Sequence, residues 1–74
     1  MDTIFSLKIG EVGIIKQFNS DEVPLKLQEM GCIPGQEVEL IQTSYAKDPI
    51  HIRINDTHLA IRRNLAAAIE IDKI

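Results

Sequence analysis

The sequence predicts a mainly β fold, a small barrel of about five antiparallel strands with one short helix. Apolar and polar residues alternate in 36–43, 50–54 and 57–61, the period of a half-buried strand. Turn chemistry at Pro34-Gly35 and Asn55-Asp56 separates these runs at short intervals. With only three aromatics, Phe5, Phe18 and Tyr45, in 74 residues, the core has to be aliphatic and built from Ile and Leu.

Residues 3–9 carry apolar side chains at Ile4, Phe5, Leu7 and Ile9, which suits either one helical turn or an extended lead-in packed on the core. Gly10-Glu11-Val12-Gly13 reads as a bend into a first strand at 14–18. The pair Ile14-Ile15 breaks strict alternation, and Ile15 is taken as the inward residue. Residues 19–22 read as a turn and helix start. Pro24 suits the first helical position, where its missing N–H does no harm, and Asp21 and Glu22 sit near the positive end of the helix dipole. Leu25, Leu27 and Met30 supply the apolar residues of two turns that end at Gly31.

The stretch Leu27-Gln28-Glu29-Met30-Gly31-Cys32-Ile33-Pro34-Gly35 is the corner of the predicted fold. Gly31 suits the left-handed residue that closes a helix. Pro34-Gly35 suits the centre of a type II turn, with φ > 0 at the glycine. The second strand, 36–43, places Val38 and Leu40 on one face and Glu37 and Glu39 on the other. A polar loop with an exposed Tyr45 follows. The hairpin around Asn55-Asp56 then sets Ile52 against Leu59 and Ile50 against Ile61, so both strands bury the same face. Residues 62–68 read as a helical turn and 69–71 as a last short strand. Seventy-four residues amount to one small domain, residues 1–74, with little room for a deep cleft.

Charge and composition narrow the function. A net charge of −3, without a block of like charge, argues against a phosphate-gripping surface. Met1-Asp2-Thr3 lacks the start of a signal peptide, and the longest apolar run, 65–69, is far short of the ~20 residues that cross a bilayer. A lone Cys32 excludes an internal disulfide and fits a reducing compartment, so the expectation is a soluble cytoplasmic chain without membrane insertion.

The residues capable of chemistry do not assemble into a site. His51 and His58 fall on the outer face of one hairpin as diagonal neighbours, close enough to invite a metal. They lack a third ligand at metal-binding spacing, so a solvated face is the preferred reading and no metal site is assigned. Cys32 reads as a small buried hydrophobe rather than a nucleophile, since neither histidine is near it in sequence. Ser6, Ser20 and Ser44 sit in no nucleophile motif, and Gly10 and Gly13 in no phosphate-cradling loop. Arg53, Arg62 and Arg63 read as solvated charge. No catalytic residue and no cofactor are expected. Met30, Tyr45 and Lys47, on the helix end and the long loop, are the candidate partner contacts.

In order and spacing, the corner at 27–35, then Asp48-Pro49-Ile50-His51-Ile52, Leu59-Ala60-Ile61-Arg62 and Ile69-Glu70-Ile71, resemble the FeoA family, the small cytoplasmic accessory proteins of bacterial ferrous-iron transport. The match spans nearly the whole chain. The resemblance implies an SH3-like barrel without enzymatic activity, acting through the FeoB permease and its cytoplasmic GTP-binding domain. Two departures stand out: Cys32 where leucine or methionine is expected, and Leu65, where the family often has an acid and where an apolar side chain enlarges the surface for a partner. The alternatives are a small nucleic-acid-binding barrel of the ribosome-associated kind and a metal-sensing SH3-like domain of the repressor type. Self-association through unpaired strand edges is compatible with all three.

Overall fold

The computed structural model describes residues 2–18 and 21–74. Asn19 and Ser20, the start of the expected turn at 19–22, lie outside the described residues, as does Met1. The elements run β1 (Asp2–Thr3), a 3-10 turn (Ile4–Ser6), β2 (Val12–Gln17), α1 (Leu25–Glu29), β3 (Glu37–Thr43), β4 (Ile50–Ile54), β5 (Thr57–Ile61), α2 (Arg63–Ala68) and β6 (Glu70–Lys73). One antiparallel sheet in the order β1-β6-β2-β3-β4-β5 holds all six strands. The mainly β, SH3-like barrel architecture predicted from the sequence is present. The sixth strand is the two-residue β1, which pairs with β6, and the segment expected as a helical turn is the helix α2.

The hairpin follows its predicted register, with Ile52 opposite Leu59 and Ile50 opposite Ile61. Strict alternation fails at two places. A register shift between Ile15 and Gln17 breaks the β2–β6 ladder, and another between Leu40 and Gln42 breaks β3–β4. Each shift bends its strand and sharpens the local twist, which is how a short sheet curls around a core. The second shift also turns Gln42 outward, opposite His51.

Residues from every strand but β1 fill that core. Ile15, Val38, Leu40, Ile50, Ile52, Ile54, Ile61 and Ile71 are buried from the sheet, with Ile4, Leu7, Val23, Cys32, Ala66 and Ile69 closing the ends. No aromatic ring is among them, and no buried polar or charged residue is found among the described residues. The 3-10 turn and α2 pack on each other, tied by the Ile4 N–H donating to the Ile69 carbonyl at 3.1 Å.

The corner closes as its chemistry dictates. The Cys32 N–H donates to the Leu27 carbonyl and the Gly31 N–H to the Gln28 carbonyl, both at 3.1 Å, around Gly31 at φ +109°. This pair of bonds is the Schellman closure of a helix. Gln36 N–H then donates to the Ile33 carbonyl across Pro34-Gly35, with Gly35 at φ +95°, and Gly35 N–H donates to the Ile15 carbonyl, pinning the turn to β2. Pro24 stands one residue ahead of its expected place, as the N-cap of α1. The helix differs more in packing. None of its residues is buried, Leu25 is 69% exposed, and only Leu27 reaches the margin of the core. The helix stands off the sheet rather than folding down onto it.

Candidate functional site

Because α1 stands off, a groove of about 560 Å3 runs between it and the β5–α2 connection. Pro24, Leu27 and Met30 form one wall, and Leu59, Ile61 and Leu65 the other, with Glu22, Lys26 and Arg62 at the lining's polar positions. The apolar surface follows from the sequence pattern: the helix carries apolar residues that the described residues cover only in part. The groove is larger than the sequence suggests for so small a chain. It is a furrow open to solvent between two elements, so it offers a surface to another molecule. Strand β5 forms one edge of the sheet. After a two-residue turn, the hairpin pattern points the free backbone groups of His58 and Ala60 away from β4.

The residues singled out from the sequence are placed as follows. Met30 is half-buried, not exposed as expected, because it lies in the groove wall. Tyr45 is fully exposed on the β3–β4 loop. Lys47, in the same loop at φ 59°, lines a different depression with Leu7, Ile9 and Leu40. The structure therefore does not bring Met30 and Lys47 into one pocket. Leu65, noted for its departure from the family pattern, lines the groove directly.

Cys32 is 1% exposed, and burial pushes its thiol up to about 11, so the nucleophilic thiolate is suppressed. His51 and His58 stand on the outer face with ring centroids 5.7 Å apart and ring planes at 80°. Among the described residues no group of three or more His, Cys, Asp or Glu gathers around a common point.

Arg53 and Arg62 face different carboxylates. Arg53 donates to the Glu39 carboxylate from Nη2 at 2.6 Å and Nε at 3.2 Å, and from Nη1 to the Asn55 carbonyl at 2.7 Å. That carboxylate holds its guanidinium above the usual range. Arg62 Nη1 lies 3.8 Å from Asp48 Oδ1, and the same oxygen accepts the Arg63 backbone N–H at 3.1 Å. Asp48 thereby fastens the β3–β4 loop to the start of α2, a link without a signature in the local sequence. Glu11 is held below the usual carboxylate range, chiefly by the hydrogen bond its Oε1 accepts from the Lys8 N–H.

Against this geometry the comparisons with known proteins are direct. The FeoA domain family model matches residues 3–73. The chain belongs to the FeoA family. The family is associated with ferrous-iron transport. A protein of Porphyromonas gingivalis described as an Fe(2+) transport protein A/Fe(2+) transporter FeoB fusion is 35% identical over 49 residues, which cover 66% of this chain and 6% of that one. The solution structure of iron(II) transport protein A from Clostridium thermocellum is 30% identical with a TM-score of 0.86, over 99% of this chain and 46% of that one. An FeoA protein from Chlorobium tepidum gives 23% identity and a TM-score of 0.89, over 99% and 70% respectively. At that identity the likeness speaks for the fold alone. This FeoA chain thus spans less than half of the Clostridium structure and a small fraction of the fusion protein. Among its described residues no helix is long and apolar enough to cross a membrane.

Proposed function

We propose that this FeoA chain is a non-enzymatic accessory subunit of ferrous-iron uptake, working on the cytoplasmic side by contact with the GTP-binding part of a FeoB-type permease. The supporting observation is the relative in which an FeoA segment and a FeoB transporter share one polypeptide. A covalent link supplies a high effective concentration, so a weak contact suffices there. The groove beside α1 is where this chain keeps apolar area for such a contact. A standard interface takes roughly 800 Å2 from each partner, a substantial share of the 4628 Å2 this chain exposes. The contact therefore engages the groove with its rim rather than one side chain. Met30 belongs to this proposed surface together with Leu27, Leu59 and Leu65, whereas Tyr45 and Lys47 lie outside the groove lining.

Co-purification with the permease's cytoplasmic portion, paired with iron uptake in a deletion strain, tests this. The wild-type chain is expected to bind and to restore uptake. Met30→Glu places a charge in the groove wall at a half-buried position and is expected to lose both with its melting temperature kept. Absence of wild-type binding together with normal uptake in the deletion strain refutes the proposal.

A further inference from the structure

Two imidazoles share the outer face of the β4–β5 hairpin with no assigned role. The register sets His51 against Ala60 and His58 against Arg53, which makes the histidines diagonal neighbours on adjacent strands. Their ring centroids are 5.7 Å apart. A zinc ion binds imidazole nitrogen at about 2.0–2.1 Å, and that nitrogen lies about 1.2 Å from its ring centre, so two rings on one tetrahedral ion have centres about 5 Å apart. The observed separation is within a side-chain rotation of that value. The hairpin register holds the two rings within reach of one ion.

The surroundings leave the pair available. Arg53, directly across from His58, is turned toward Glu39 and the Asn55 carbonyl, so its charge is held by a carboxylate on the far side. Across from His51 stand Gln42, brought outward by the irregularity after Leu40, and Ala60, and neither carries a charge. His58 is exposed, His51 half-buried, and β5 is a sheet edge, so solvent and ions reach both rings.

We propose that His51 and His58 form a two-imidazole chelate for a borderline divalent transition ion, of the class of Zn2+, Ni2+ and Fe2+. Imidazole suits these ions, whereas Mg2+ and Ca2+ take oxygen ligands that the pair does not offer. Two protein ligands leave the remaining positions to water or to a ligand from a second molecule. Structural zinc sites are closed by four protein ligands, so this one holds its ion exchangeably. Neither histidine lines the docking groove, so the chelate does not rest on the permease contact.

Isothermal titration of Zn2+ into the full chain near neutral pH, with His51→Gln, His58→Gln and the double variant alongside, tests the chelate. One saturable ion per chain, or one per two chains, is expected. Either single substitution is expected to weaken it by about tenfold or more, and the double variant little further, because losing one arm already abolishes the bite. Two ions per chain, each removed by one substitution with the other unaffected, would mean independent histidines and would overturn the proposal. So would an absence of saturable binding, or binding unchanged in the double variant. Imidazole proton resonances of the wild-type chain give a second reading that needs no variant: both rings shift in step over the same titration, and a shift confined to one ring counts against the site.

Discussion

Gly31 combines two demands that no other residue type meets at once. Its φ of +109° lies where L side chains are strained, and a Cβ there would stand 2.7 Å from Asn55 Nδ2 and 3.3 Å from Ile54 Cγ2. Gly31→Ala is expected to destabilise the fold by about 1–3 kcal/mol, read as a shift in the denaturant midpoint. An unchanged midpoint would contradict the close approach. The left-handed conformation was legible from Gly31 following a helical run. The contact with the hairpin turn was not, because it depends on where a distant segment lands. Gly13 makes the same point: read as part of a bend, it lies within β2, where a Cβ would meet Ile71 Cδ1 at 2.6 Å. Cys32 carries a pH signature. Burial raises its thiol from 9.0 to about 11, so the fold favours the protonated form. The resulting stabilisation is complete below pH 9 and is lost as pH rises from 9.0 to about 11. Denaturation midpoints across that window are expected to fall more steeply for the wild type than for Cys32→Val, which removes the titrating group and leaves the other alkaline titrations in place. Parallel slopes would refute it.

At the scale of elements, what could be read depended on whether one segment carried its own specification. The β4–β5 hairpin did: a two-residue turn and matching alternation fix the register, and with it the diagonal placing of His51 and His58. The two register shifts and the strand β1 did not, since each is defined by the ladder of a partner strand. The periodicity of α1 showed which residues are apolar but could not show that the described residues leave them only partly covered, so the groove was not foreseen. The start of α2 is a similar case. Its cap residue makes no side-chain hydrogen bond, and the Arg63 N–H is instead satisfied by Asp48 from the loop before β4. Asp48→Ala is expected to cost about 1 kcal/mol. It is also expected to speed amide exchange in the first turn of α2, because one side chain holds both segments. Exchange rates unchanged in α2 would show the bond to be incidental.

For the molecule as a whole, the controlling fact is how little stability so small a core can hold. A chain of this size retains roughly 3–5 kcal/mol from a single aliphatic core, and here the buried residues include no aromatic ring, Phe18 only packing against their margin, and no disulfide reinforces them. Ile52 stands at its centre: 0% exposed, on β4 between β3 and β5, opposite Leu40 on one side and Leu59 on the other. Truncating a buried Ile to Ala removes its transfer free energy and leaves a cavity, together about 2–5 kcal/mol, which matches the whole reserve. Ile52→Ala is therefore expected to unfold the chain under native conditions, seen as loss of dispersed amide resonances. Ile52→Val, at about 0.5–1.5 kcal/mol, should leave it folded with a lower melting temperature. If Ile52→Ala remains folded and cooperative, the stability comes from elsewhere. If instead it unfolds, a partner seated on the groove is expected to restore the fold, since a ligand that binds only the folded form raises its stability by mass action. The same variant in complex with the permease's cytoplasmic portion tests this. Rescue of the fold by the partner means the groove contact contributes stability that the isolated core lacks, and failure of rescue leaves the core as the sole support.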